Sequence, residues 1–252
     1  MNKFINILII LGGILTVAAF CAVVLIILAI NGGADGLWRN MKPNVDPNNS
    51  KVVIARNTTV TDINNSFSEI NKLGYLKEYT TSFYDRCHRG ESNWKRTDGY
   101  ASQCAYKITS YYGFNGDFKQ TILNFEKDIN KLGWTATYTD RDGNQPMQYL
   151  ADVYDKSYGT KRLNGTGVYD VSNLPSSVAR YSKNDQTIQI EFVEKSTTDF
   201  GDIEYAQRET SGIAGTTYEK QNLPSLPELL KNITNENRYG IVIAITKKYF
   251  EN

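Results

Sequence analysis

One stretch of the chain limits its possible folds more than any other, because no charged residue occurs between Phe4 and Ile30. As an α-helix this run extends over about 40 Å, and the hydrocarbon core of a bilayer is about 30 Å thick. A cleaved signal peptide has an apolar region of only about 7–15 residues. Residues 1–30 are therefore predicted to form a transmembrane signal anchor that contacts the lipid bilayer through residues 4–30, with cleavage near Ala29 or Ala34 as the alternative.

The flanking charges do not orient this helix. Lys3 precedes the run, whereas Arg39 and Lys42 follow it, so the positive-inside rule favours neither side. Cys87 and Cys104 are the only cysteines after the helix, and they allow one disulfide bond, which is typical of an oxidising compartment. We therefore expect a single-pass protein of the cell membrane whose C-terminal domain lies outside the cytoplasm.

Residues 31–50 are rich in Gly, Asn and Pro and lack apolar periodicity, which predicts a flexible linker. Trp38 is an exception to this composition. Its indole suits either the headgroup level of the membrane or packing onto the following domain.

Two amphipathic helices are predicted after the linker. Apolar residues recur at intervals of three and four over 59–73 and again over 117–132. Thr58 or Thr59 can cap the first helix and Asp117 the second, and Gly74 and Gly133 follow as stop signals. The side chains expected to be buried under these helices are Phe67, Ile70, Phe125 and Ile129.

Four strands are predicted around these helices from β-branched and aromatic content, at 51–55, 76–86, 103–114 and 134–139. The segment Ile70–Tyr75 recurs at Ile129–Trp134 with only Trp replacing Tyr, and nine of twenty pairs are identical over the longer comparison. Residues 51–142 are therefore predicted to be an internally duplicated ferredoxin-like β-α-β-β-α-β unit, with helices on one face of an antiparallel sheet. The fold class is α+β.

Residues 143–252 have weaker patterns. Strands are expected near Ile188–Phe192, Ile203–Glu209 and Ile241–Ile245, and a capping box predicts a short helix over Ser225–Ile233. This loop-rich ββαβ arrangement either extends the first sheet or makes a second small subdomain.

Composition excludes several functions. The formal net charge is +1, so the chain lacks the excess of cations that a nucleic-acid binder needs. A single histidine excludes His-rich zinc sites, and no phosphate-binding glycine loop is present. No cofactor, metal or nucleic-acid partner is predicted.

The candidate catalytic groups are few. Cys87 and His88 are adjacent, but consecutive side chains of a strand point to opposite faces. In an oxidising compartment Cys87 is expected to form a disulfide bond with Cys104, so it would not act as a nucleophile. Asp140-Arg141-Asp142-Gly143 lacks the Gly and Glu positions that a calcium loop requires. Carboxylates that could act in pairs, as glycoside hydrolases use them, lie around the hairpin formed by the strands 76–86 and 103–114 and at the second predicted helix. They are Asp85, Glu91, Asp98 and Asp117.

Aromatic residues concentrate between positions 94 and 112 and could stack on a sugar or anchor a protein partner. They are Trp94, Tyr100, Tyr106, Tyr111 and Tyr112. In architecture alone, without a shared motif, residues 4–140 resemble membrane-anchored ferredoxin-like domains that serve as assembly components of pilus and secretion machines. We therefore expect a non-catalytic, extracytoplasmic binding or envelope-assembly module whose partner is another envelope protein or a surface glycan. The alternative is a carboxylate-based hydrolase tethered to the cell surface, for example one that cleaves glycans.

Overall fold

A computed structural model describes residues 2–42, 45–90, 98–137, 147–148, 178–194, 216–222, 229, 232–233, 235–237 and 239–252. The helices are α1 (Asn2–Ile30), α2 (Ala34–Met41), α3 (Ser50–Asn71) and α4 (Phe118–Lys131). The strands are β1 (Lys77–Arg89), β2 (Ser102–Phe114), β3 (Thr135–Ala136), β4 (Val178–Lys183), β5 (Gln186–Glu194), β6 (Thr216–Asn222) and β7 (Tyr239–Glu251).

The seven strands form one sheet in the order β3-β4-β5-β7-β2-β1-β6, and each neighbouring pair is antiparallel. The prediction of an α+β fold with an antiparallel sheet is therefore confirmed. The central strand is β7, which lies between β5 and β2 although it is the last along the chain. Its run of apolar residues fits this position, because Ile243 is buried on the helix face and Val242 on the opposite face.

Helices α3 and α4 bury their apolar stripes in the main core, together with side chains of β2, β5 and β7. The four side chains predicted to lie there, Phe67, Ile70, Phe125 and Ile129, are all buried. On the opposite face a smaller cluster joins Tyr111 and Val242 to Leu229 and Ile233.

The prediction of a strand at 51–55 is wrong, because these residues form the beginning of α3. Asn49 caps this helix by accepting a hydrogen bond from the Lys51 amide at 3.0 Å. Val52 continues the buried helical stripe toward the linker and packs near the disulfide. The order from residue 50 to residue 136 is consequently α-β-β-α-β, and the predicted ferredoxin-like β-α-β-β-α-β order is also wrong.

The repeated hexapeptides mark two equivalent helix ends. Gly74 and Gly133 both have positive φ, 76° and 89°, which glycine adopts without steric cost. At the end of α4 the Trp134 amide donates to the Ile129 carbonyl at 3.0 Å, which is the six-to-one bond of a Schellman motif. The shared segment is therefore a helix end followed by a strand.

The predicted disulfide is confirmed. Cys87 and Cys104 face each other across β1 and β2, and their sulfurs are 2.01 Å apart. Both residues are fully buried against Val45 and Val52. They are 17 residues apart in sequence, and closing a loop of this length stabilises the folded state by about 3 kcal/mol in the chain-entropy model.

Residues 31–50, predicted to be a flexible linker, contain helix α2 and contact the sheet. Arg39 donates to the main-chain carbonyl of Asp98, and Arg89 donates to that of Lys42 at 3.2 Å. Val45 is buried beside the disulfide. Trp38, in contrast, is exposed on α2.

Other predictions have mixed outcomes. The strands at 76–86, 103–114, 188–192 and 241–245 are confirmed. Of the one predicted at 134–139, Thr135–Ala136 form β3, and residues 138–139 lie outside the described residues. Strand β4 was not predicted. The strand predicted over 203–209 and most of the helix predicted over 225–233 lie outside the described residues. Within the described part of the chain, no helix is found that is long and apolar enough to cross a membrane, so the transmembrane helix stays a prediction.

Candidate functional site

A groove of about 450 Å³ lies on the helix face of the sheet, between α3 and strands β1 and β2. Helix α3 packs mainly over β7 and β2, and on the helix face of β1 it leaves Thr81 exposed and Phe83 half-buried. We call this the α3 groove. Its helix wall is formed by Val60, Asn64, Ser68 and Asn71 together with the edge of Phe67.

The helix wall follows from the spacing of its residues. Asn64 and Ser68 are four apart and Asn71 follows three later, which places all three on one side of a helix. This polar stripe runs beside the buried stripe that contains Ile63 and Ile70. Packing of the apolar stripe on the sheet therefore turns the amide and hydroxyl groups toward β1.

The floor of the α3 groove is aromatic and apolar. The rings of Phe83 on β1 and Tyr106 on β2 are stacked, with centroids 5.8 Å apart and planes 10° from parallel. Both side chains are half-buried, so each retains exposed ring surface. Ile108 and Ser110 continue the floor along β2.

Hydrogen bonds hold the amide of Asn71 in one orientation at the end of the groove. The buried Tyr112 hydroxyl donates to Asn71 Oδ1 at 2.7 Å, and Asn71 Nδ2 donates to Glu78 Oε2 at 2.9 Å. Burial raises the pKa of Tyr112, so its hydroxyl remains a donor at physiological pH. Asn71 keeps one N–H and one lone pair for a ligand.

Glu78 is the one ionisable carboxylate among the residues that line the α3 groove, and no lysine or arginine lines it within the described part of the chain. The remaining polar groups are amides and hydroxyls, contributed by α3, β1, β2 and Asn222 at the end of β6. This lining can hydrogen-bond and stack, but it does not concentrate charge.

A buried ion pair lies next to the groove, below the N-terminal half of α3. Arg56 Nε is 2.7 Å from Asp85 Oδ2, and the Tyr249 hydroxyl donates to Asp85 Oδ1 at 2.8 Å. Arg56 also donates to the Pro47 carbonyl at 3.2 Å. Burial and the bond to Asp85 raise the pKa of Tyr249. This network joins the residues before α3 to the sheet.

The structure separates the carboxylates that were candidates for paired catalysis. Asp85 is buried in the ion pair with Arg56, and Asp117 caps α4 by accepting from the Gln120 amide at 2.7 Å. Asp85 lies opposite Tyr106, and Tyr106 is eight residues, or about 26 Å, before the end of β2 at Phe114. Asp117 follows that end of the strand, so the two carboxylates are far apart. Asp98 lies in the loop between β1 and β2, and Glu91 is outside the described residues. No two of the three described candidates form a catalytic pair.

The predicted aromatic residues are spread over both faces of the sheet. Tyr106 lies in the α3 groove, whereas Tyr112 belongs to the core and Tyr111 packs on the opposite face. Tyr100 contacts His88, whose Nε2 is 2.8 Å from the Tyr100 hydroxyl. Trp94 is outside the described residues.

Sequence analysis did not identify the residues of the helix wall, or Phe83. The four-and-three spacing of Asn64, Ser68 and Asn71 was a usable signal, but an amide stripe is also typical of a solvated helix face. Within the described residues, no group of three or more His, Cys, Asp or Glu side chains could hold a metal ion.

A buried carboxyl group was also missed. Glu126 on α4 accepts hydrogen bonds from the Tyr181 hydroxyl and, at 3.2 Å, from the Met147 amide. Burial raises the pKa of Glu126, although these bonds to the carboxylate act in the opposite direction. These two hydrogen bonds therefore connect β4 and Met147 to α4.

Replacing Glu126 with Gln is expected to change the pH dependence of stability. Burial raises the pKa of Glu126 in the folded state, so protonation of this side chain stabilises the fold. This stabilisation is complete below the unfolded-state pKa of about 4.3, and it is lost as the pH rises through the folded-state pKa. The unfolding free energy of Glu126→Gln relative to the unmodified protein should therefore increase between pH 4 and pH 7. Each tenfold change in proton affinity corresponds to about 1.4 kcal/mol.

Urea titrations at several pH values measure this difference. The same titrations of Asp35→Asn, at an exposed acid of α2, show how far the loss of a surface carboxylate by itself changes stability. A difference for Glu126→Gln that is constant from pH 4 to pH 7 would contradict the prediction.

Comparison with known proteins finds no matching family model and no match among curated proteins or solved structures.

Proposed function

We propose that this protein is a single-pass, membrane-anchored binding module whose α+β domain lies outside the cytoplasm and takes its partner in the α3 groove. The main support is the exposed surface of α1. Five of its large apolar side chains have exposed fractions between 58% and 71%, namely Leu15, Val17, Phe20, Leu25 and Ile26.

These five side chains point in different directions around the helix axis, at about 100° per residue. A helix that is apolar on all sides requires apolar surroundings, and a bilayer supplies them. The uncharged run from Phe4 to Ile30, taken as one helix, would extend over about 40 Å, which is more than the bilayer core requires. The described side chains of α1 begin at Leu15, so the residues before it support the anchor through their sequence alone.

Helix α2 supports an interfacial position for the residues after α1. Trp38 and Met41 are three apart and both are exposed. Trp is enriched at the headgroup level, where its ring meets apolar material and its N–H meets water. Arg39 meanwhile holds α2 to the loop at Asp98. The domain would then lie close to the membrane surface.

The disulfide supports the orientation. Cys87 and Cys104 form a buried bond, and such bonds persist in oxidising compartments and are rare in the cytosol of most organisms. The described groove favours binding over catalysis, because its amides, hydroxyls and aromatic rings are poor proton-transfer groups near neutral pH.

Membrane anchoring is tested by adding protease to intact cells. We expect residues 51–252 to be degraded while a cytoplasmic marker survives, and the protein should stay in the membrane fraction after an alkaline wash. Val17→Lys, near the middle of the apolar run, should lower the fraction retained in the membrane, since Lys at a helix centre costs about 3 kcal/mol.

Val17→Leu is the matched control and should behave like the unmodified protein. Protection of residues 51–252 until the cells are lysed would reverse the orientation. Recovery of the unmodified protein in the alkaline supernatant would refute the anchor.

A further inference from the structure

We infer that the α3 groove binds a neutral, hydroxyl-rich ligand of the oligosaccharide class. This inference rests on the proposed binding function and specifies the ligand of the same groove. It follows from two kinds of chemistry that face each other across the groove, aromatic rings on the strands and amide and hydroxyl groups on α3.

The aromatic floor suits the apolar side of a sugar ring. Phe83 and Tyr106 are stacked nearly parallel, within 10°, so their facing sides cover each other. Both are half-buried, which leaves the remaining ring surface for a ligand at low entropic cost. The C–H groups on one side of a pyranose form an apolar patch that can lie on such a surface. Val60 and Ile108 extend this apolar area along the groove.

The opposite wall suits the hydroxyl groups of a sugar. Amides and hydroxyls both donate and accept, as sugar hydroxyls do, so Asn64, Ser68 and Asn71 can satisfy them in either direction. The Asn71 amide is already oriented by Tyr112 and Glu78, which lowers the entropy lost on binding.

The same lining disfavours other ligand classes. A phosphate or sulfate needs cationic partners, and the described lining has none, while Glu78 would repel an anion. A metal ion would find one carboxylate, already bonded to Asn71. The volume of about 450 Å³ lies within the range of small-molecule pockets, which is about 300–1,000 Å³.

The Ser110 hydroxyl adds a polar group at the base of the groove. It lies beside the Tyr112 phenol and lowers the pKa of that group, which burial raises overall.

The test is calorimetric titration of the full-length chain in lauryldimethylamine oxide, a detergent without a sugar headgroup. The probes are cellotriose, maltotriose and triacetylchitotriose, with inorganic phosphate and a neutral Gly-Ser hexapeptide for comparison. We expect at least one trisaccharide to bind, and phosphate not to bind. Asn64→Ala should weaken binding about threefold to tenfold, as expected for one lost hydrogen bond.

Asn65→Ala is the matched control, because Asn65 is exposed about 100° farther around α3 and does not line the groove. It should leave affinity unchanged. Tyr106→Ala should weaken binding about tenfold, and Tyr106→Phe, which keeps the ring, should retain most of the affinity.

Absence of binding to all three trisaccharides would overturn the inference, as would equal effects of Asn64→Ala and Asn65→Ala. Binding of the hexapeptide with sensitivity to Asn64→Ala, and of no sugar, would overturn the saccharide class but preserve the proposed binding function. Failure of the anchoring and orientation in the proposed function would be seen separately, in the protease and membrane-fraction experiment.

Discussion

Truncation of Phe125 to alanine is expected to lower the free energy of unfolding by about 3–5 kcal/mol. Phe125 lies on α4 with 1% of its surface exposed, in the core cluster that joins both helices to the sheet. The substitution removes a phenyl ring from a site enclosed by close-packed side chains, and the loss includes both its transfer from water and the cavity left behind.

Urea titration of the full-length chain in mild detergent, monitored by circular dichroism, measures this loss. Lys127→Ala, at an exposed position of the same helix, is the control and should change stability by less than about 0.5 kcal/mol. A loss below about 1 kcal/mol for Phe125→Ala would mean that this face of α4 does not form a packed core.

Replacing Arg56 with Met is expected to cost about 3–5 kcal/mol, because it leaves the Asp85 carboxylate buried without its cation. Asp85 has only 2% of its side chain exposed, so water cannot readily replace the lost partner. Asp85→Leu should be similarly destabilising, because Arg56 would then lose its carboxylate and Tyr249 its acceptor.

The double variant, Arg56→Met with Asp85→Leu, should cost clearly less than the sum of the single losses, since no buried charge is left unpaired. An exposed pair provides the control. Lys131 is 2.8 Å from Asp128 but has 63% of its side chain exposed, so Lys131→Met should cost less than about 1 kcal/mol. Additive losses at Arg56 and Asp85 would show that the two side chains are not energetically coupled.

Apolar periodicity, capping residues and residue composition predicted the helices and strands that depend mainly on contacts between residues close in sequence. Helix α4 has a regular apolar stripe, a capping Asp117 and a stop at Gly133, and it was predicted to within one residue at each end. Strands β1 and β2 were predicted from their β-branched and aromatic content. Cysteine count predicted the disulfide, because two candidates allow one pairing.

The beginning of α3 shows where local propensity fails. Val52, Val53 and Ile54 favour a strand by residue type, yet they are helical. The cap at Asn49 and the burial of Val52 beside Cys87 and Cys104 stabilise the helix instead. The second of these contacts joins residues more than thirty positions apart, so no local window could contain it.

The amino-acid sequence by itself determined the apolar N-terminal run, the α+β class, the stripe of α4 and the pairing of Cys87 with Cys104. Only the tertiary structure decided that β7 inserts between β5 and β2, that Arg56 meets Asp85, and that α3 leaves β1 open to form the α3 groove. The physical reason is the range of the interactions. Periodicity and capping act within one or two turns, whereas strand order and groove formation depend on pairings between residues far apart in the chain.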